Sequence, residues 1–195
     1  MYAGQPLAAQ HGSRHRPTDM ASATAATATA RQGEVTAVTE QQQRVAVGRQ
    51  AARAILIDDD GRLVLIRRTK PGQAPYWTAP GGGVDASDKS VEAALHRELA
   101  EELGAEASDA ARVFLFSSPS EAGVAVQHFF VARLRKLDES ARGGPEFQDA
   151  SRGGYDLDRV GLLGDDLASV DLKPDALKEF ILANREALLA EAAAG

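Results

Sequence analysis

The sequence contains no cysteine, which excludes disulfide bonds, thiolate metal ligands and cysteine nucleophiles. It has no apolar run near the ~20 residues needed to span a bilayer. Residues 1–33 also lack the apolar segment of a secretory signal. These absences fit a cytoplasmic protein with no membrane partner. An excess of basic charge is missing too. The net charge is −6 and unevenly placed: residues 1–50 carry five Lys or Arg against three Asp or Glu, and the remainder 17 against 25. An acidic globular part argues against broad nucleic-acid binding by phosphate neutralisation. It still admits a small phosphorylated ligand, because a bound divalent cation inverts the local charge.

What is present suits one domain plus a tail: 195 residues, 44% of them hydrophobic and 26% charged. Residues 1–43 show no hydrophobic period and end in a Gln run, so they read as a disordered, low-complexity extension ahead of a domain over 44–195. Their Ala/Thr/Ser/Arg bias also resembles a transit peptide, and Met20 offers an alternative start. Ala51–Ile57 and Leu63–Ile66, joined by Asp58-Asp59-Asp60-Gly61, carry a hairpin signal. Tyr76–Ala79 reads as a short strand entering the turn Pro80-Gly81-Gly82-Gly83. A helix is expected from about Ser90, as N-cap, to Leu103, with Gly104 as its stop. Val113–Phe116 and Val124–Leu134 read as strands, Arg142–Gly154 as a glycine-rich loop, and Val160–Leu163 as a last short strand. Lys173-Pro174 opens a final helix through Leu188. Strands interrupted by one central and one terminal helix indicate an α/β or α+β sandwich.

The informative segment is Arg97-Glu98-Leu99-Ala100-Glu101-Glu102-Leu103-Gly104. At about 100° per residue, Glu98, Glu101 and Glu102 share an arc of about 100° on one helix face. They border the stripe of Leu95, Leu99 and Leu103 instead of pointing to open water. Clustered carboxylates repel one another, and a hard divalent cation such as magnesium or manganese removes that cost. Arg97, four residues before Glu101, is placed to orient that carboxylate. A helix of this composition alone is more often a solvated, salt-bridged surface. The upstream glycine run changes the balance, because glycine lets backbone groups approach a ligand or metal closely.

Together these residues resemble the Nudix box, Gly-x5-Glu-x7-Arg-Glu-U-x-Glu-Glu-x-Gly-U with U a bulky aliphatic, over residues 82–105. With Gly82 as the box glycine, Asp88 replaces the first Glu and one extra residue precedes Arg97. With Gly83 the spacing is regular but Lys89 stands at that position. The first alignment is preferred because it keeps an acid. Ala105 departs from the final U.

The resemblance implies an α/β/α sandwich with a mixed sheet. It also implies a magnesium-dependent hydrolase, with manganese as a substitute, that cuts a phosphoanhydride in a nucleoside diphosphate linked to another moiety. Glu98, Glu101, Glu102 and the Gly81 carbonyl would hold the metal. Glu98 and Glu101 are also catalytic candidates, and Glu146, on the glycine-rich loop with Asp149, is a candidate base. Arg53, Arg67, Gly82 and Gly83 are candidate substrate contacts, with Arg68 and Lys70 nearby. Tyr76 and Trp77 are candidates for stacking on a base, although Trp77 on a strand is more often core; His96 reads as structural before metal ligand, and His128 is ambiguous in the same way. A catalytically silent nucleotide sensor is the alternative, and a homodimer is left open. The substrate could be a nucleoside triphosphate, ADP-ribose, a dinucleoside polyphosphate or capped RNA.

Overall fold

A computed structural model of the chain describes residues 46–143 and 153–195. The extension over residues 1–43 lies outside the described residues, as do Glu146 and Asp149. The nine strands of the described residues are β1 Val47–Ile57, β2 Arg62–Thr69, β3 Tyr76–Thr78, β4 Gly81–Gly83, β5 Ala105–Ala107, β6 Ala111–Ser120, β7 Gly123–Leu137, β8 Gly154–Gly161 and β9 Leu172–Lys173. Four α-helices and a short 3-10 turn, Glu139–Ala141, accompany them: α1 Val91–Leu103, α2 Asp166–Ser169, α3 Asp175–Ala183 and α4 Arg185–Ala194.

The main path of the sheet runs β5-β7-β1-β2-β3-β9. On β1, β7 pairs parallel while β2 and β4 pair antiparallel, so the sheet is mixed. Its two faces follow the period of two in each strand. Ile55, Ile57, Leu63, Leu65, Phe129 and Val131 face Leu177, Ile181 and Leu188 from α3 and α4. Ala54, Leu56, Val64, Ile66 and Phe130 face Leu95, Leu99 and Leu103 from α1. These leucines of α1 are fully buried, each contributing about 1.5–3 kcal/mol. The result is the expected sandwich of helices on both faces of a mixed sheet.

The central helix begins and ends where the sequence indicated. Ser90 Oγ accepts from Ala93 N–H at 3.0 Å, and Gly104 adopts the left-handed conformation at φ 64°. The last carbonyls of α1 are satisfied from several directions. Gly104 N–H donates to Ala100 O, Gly143 N–H to Glu101 O, and Arg142 Nε to Glu102 O.

Other expectations are corrected. Gly81–Gly83 is a short strand against β1 as well as a turn, because its backbone reaches Ala51–Arg53 with no side chains between. The last long strand is Gly154–Gly161, earlier than expected, since all eight of its residues pair with β2. The terminal helix is two helices that meet at Asn184, whose side chain turns back to Phe180 O. Short β5 and β9 were not anticipated. No described helix is long and apolar enough to cross a membrane.

His128 sits at 7% exposure on β7. Its Nε2–H donates to Gln50 Oε1 at 3.0 Å, and its Nδ1 accepts from Arg112 Nη1 at 3.4 Å, the pattern of a neutral imidazole. Burial, helped by the Arg112 charge, lowers its pKa below the usual 6.5. The unfolded chain therefore binds this proton first as pH falls. Folding stability is full above about pH 6.5 and declines below it, until the folded-state value is passed. Denaturant melts at pH 7.5 and 5.5 should show a smaller loss for His128→Gln than for the wild type. Equal losses would mean that His128 does not contribute.

Candidate functional site

The site forms where the glycine strand β4 meets the C-terminal half of α1. Gly81 adopts φ 120°, a conformation open to glycine, and a Cβ there would strike the backbone of Ala52. Its N–H donates to Glu102 Oε2 at 2.7 Å, and Glu102 is 8% exposed. A Cβ on Gly82 would occupy the space taken by the Glu98 carboxylate. Two adjacent glycines thus admit two carboxylates from one helix, a contact that neither element makes alone.

Arg97 is the hub of the outer half. Its Nε and Nη2 donate to the two oxygens of Asp88 at 3.0 Å each, a bidentate pair. Nη2 also donates to Gly83 O, and Nη1 reaches Glu98 Oε1 at 3.0 Å and Glu101 Oε2 at 3.2 Å. Hydrogen bonds from Arg97, and then from the Asp85 backbone, hold the Asp88 carboxyl below its usual range. Lys89 is exposed. The acid at 88, with one added loop residue, therefore performs the pairing, and Arg97 ties loop to helix through it. Burial pushes the Glu98 carboxyl up, against the opposing pull of Arg97.

On the other side of β4, Arg53 lies opposite Gly81 in the β1–β4 register and donates from Nη1 to Ala79 O at 3.1 Å. Burial lowers its pKa, while the charges of Glu102 and Glu98 favour the cation. Arg53 thus stands between the two acids and a cavity of about 230 Å³ lined also by Thr78, Gln127, Phe129, Lys173 and Pro174.

Glu98, Glu101, Glu102, Gly81, Gly82, Gly83 and Arg53 are accordingly brought together. Arg67 is not: it pairs with Asp156 at 3.1 Å near solvent. Arg68 stacks over Tyr155, 3.5 Å from the ring centroid. Trp77 packs on the core and donates to Asp158 at 2.8 Å, the structural one of its two readings. His96 is half-buried on α1. Gln127 and Lys173 were missed. Gln127 had a signal, a polar residue inside an apolar strand, whereas Lys173 reaches the cavity only through the β3–β9 pairing.

Among the described residues no three His, Asp or Glu side chains are already grouped around a common point for a metal ion. Two of the acids face Arg97 and the third faces the Gly81 amide. The donor chemistry nevertheless fits a hard divalent cation: three carboxylates on one face beside a glycine backbone that a side chain would obstruct.

Comparisons with known proteins concern the fold and the family. A protein described as "Putative 8-oxo-dGTP diphosphatase" from Bacillus subtilis (strain 168) is 33% identical over 70 residues, 36% of this chain and 44% of the relative. The chain thus spans less than half the length of the curated relative it matches. Among solved structures, an ADP compounds hydrolase is 25% identical with a TM-score of 0.57, covering 74% of this chain and 75% of that one. The E. coli ORF135 protein is also 25% identical, with a TM-score of 0.51, over 71% of this chain and 91% of its own. The family model for the NUDIX domain matches residues 48–170, more than half of the chain. The glycine strand and the acidic helix lie inside that match, and the chain belongs to the NUDIX domain family.

Proposed function

We propose that this protein is a hydrolase that directs water onto a phosphorus atom of a nucleoside diphosphate linked to another moiety, with magnesium as the working ion and manganese able to replace it. The observation that carries the reading is the meeting of Glu102 and Glu98 with the glycine strand at Gly81 and Gly82. Glu98, Glu101, Glu102 and the Gly81 carbonyl would hold the ion. Once bound, it neutralises diphosphate oxygens and lowers the pKa of a bound water. Arg97 restrains Glu98 and Glu101 by ion pairs, and its bond to Gly83 O keeps the strand against the helix. Arg53, Gly82 and Gly83 contact the substrate, and the cavity beside Arg53 takes its nucleoside end. Arg67, engaged with Asp156, is the weaker phosphate contact.

In this reading Glu146 assists as the base or by orienting the water, with Glu98 as the competing candidate. The chain works in the cytoplasm on a small nucleotide, as a monomer or homodimer that gel filtration distinguishes. The test is a nucleotide panel with magnesium or manganese, applied to wild type, Glu146→Gln and Asp149→Asn. Wild type should release nucleoside monophosphate or phosphate, and a chelator should stop it. Glu146→Gln should lose roughly 10²-fold or more while Asp149→Asn does not. Wild-type turnover in Glu146→Gln returns the role to Glu98. Saturable nucleotide binding with no turnover would select the silent sensor instead.

A further inference from the structure

We propose that the cavity between Arg53 and Lys173 selects nucleobases that present a carbonyl oxygen, such as guanine, hypoxanthine, uracil or thymine, over adenine. This rests on the reading that the chain hydrolyses a nucleoside diphosphate derivative, and adds which base it prefers. At about 230 Å³ the cavity is smaller than the ~300–1,000 Å³ typical of whole-ligand sites. It therefore has room for one ring system, with the phosphates outside, toward the acids that Arg53 adjoins. Phe129 and Pro174 contribute apolar atoms to its lining.

The polar groups decide which ring. Arg53 and Lys173 donate hydrogen bonds and accept none. Gln127 and Thr78 can do either, and no carboxylate lines the cavity. Lys173 Nζ carries three hydrogens. One goes to Asp171 Oδ1 at 2.9 Å and one to Asp175 Oδ1 at 2.8 Å, and the third is beyond the need of those two pairs. The same two aspartates hold the ammonium charged, shifting its pKa upward. Arg53 uses Nη1 on Ala79 O, and the rest of its five N–H groups exceed that need. A ring carbonyl accepts from any of these four side chains, whereas the adenine amino group finds acceptors only at Gln127 and Thr78 and meets N–H groups at Arg53 and Lys173. The relatives point to different bases, 8-oxo-dGTP in one name and ADP compounds in another. The donors of this cavity favour the first kind.

Inosine and adenosine nucleotides test this directly, since they differ at the 6-position and the adjoining ring nitrogen. With magnesium, kcat/KM for ITP should exceed that for ATP by about 10–10²-fold. That is below the discrimination of a fully enclosed hydrogen-bonding site, because the Lys173 side chain is 45% exposed. Calorimetry with IMP and AMP should give the same order. Lys173→Met keeps length and removes the donor, so the ITP:ATP ratio should fall to within about threefold of one, through KM for ITP. A wild-type ratio at or below one, an unchanged ratio in Lys173→Met, or no binding of either monophosphate overturns the proposal. Should neither triphosphate be hydrolysed, the wider nucleotide panel decides the functional reading separately, and the IMP:AMP binding ratio still decides the preference of the cavity.

Discussion

Glu102→Gln should lose about 10²-fold or more in metal-dependent turnover, equivalent to about 2.7 kcal/mol of barrier stabilisation, with little change in fold. The buried Oε2 of Glu102 accepts the Gly81 N–H at 2.7 Å, and a glutamine carbonyl can accept the same bond. The substitution therefore keeps the tie between α1 and β4 while it removes the charge. It takes that charge from the most enclosed of the three acids, where few waters can replace it. Steady-state kinetics across a magnesium series, beside a thermal melt, checks both halves. A variant retaining more than about a tenth of the wild-type rate, under about 1.4 kcal/mol of barrier, would remove Glu102 from the metal-holding set.

The second large effect comes from the glycines, and the two neighbours should behave differently. At Gly82 an added methyl meets the Glu98 carboxylate, the far end of a flexible side chain that can swing away. Gly82→Ala should therefore melt close to the wild type while losing on the order of 10²-fold in turnover, since positioning is what phosphoryl transfer chiefly requires. At Gly81 the methyl meets the backbone of Ala52 and the residue stands at φ 120°. Neither the strand nor the dihedral can yield cheaply, so Gly81→Ala should lower stability by about 1–3 kcal/mol as well as activity. Melting temperatures and kcat measured on both variants separate the cases. A fully active Gly82→Ala would show that Glu98 does not work from the position it holds here.

Much of this arrangement was legible in the chain. The spacing of Leu95, Leu99 and Leu103 put one face of α1 in the core, and Ser90 and Gly104 marked its ends, because capping and amphipathic period are local. The shared face of Glu98, Glu101 and Glu102 followed from the same period. Asp88 was identified as the acid of the box by alignment, and its bidentate pair with Arg97 is the physical counterpart of that choice.

The remainder depended on distance in sequence. Residues 21 apart make the Gly81–Glu102 bond, and Arg53 reaches Ala79 O across 26 residues. Neither is encoded in any local period. The glycine run gave no sign that it would pair as a strand, since its tendency alone favours a turn. Lys173 and Gln127 meet at one cavity through the β3–β9 and β1–β7 pairings, which side-chain pattern cannot specify. The sequence by itself determined which acids share a helix face and where that helix stops. Only the tertiary structure decided that Glu102 would turn to the Gly81 amide and Arg53 to the cavity, because those contacts exist only once β1, β4 and α1 have packed together.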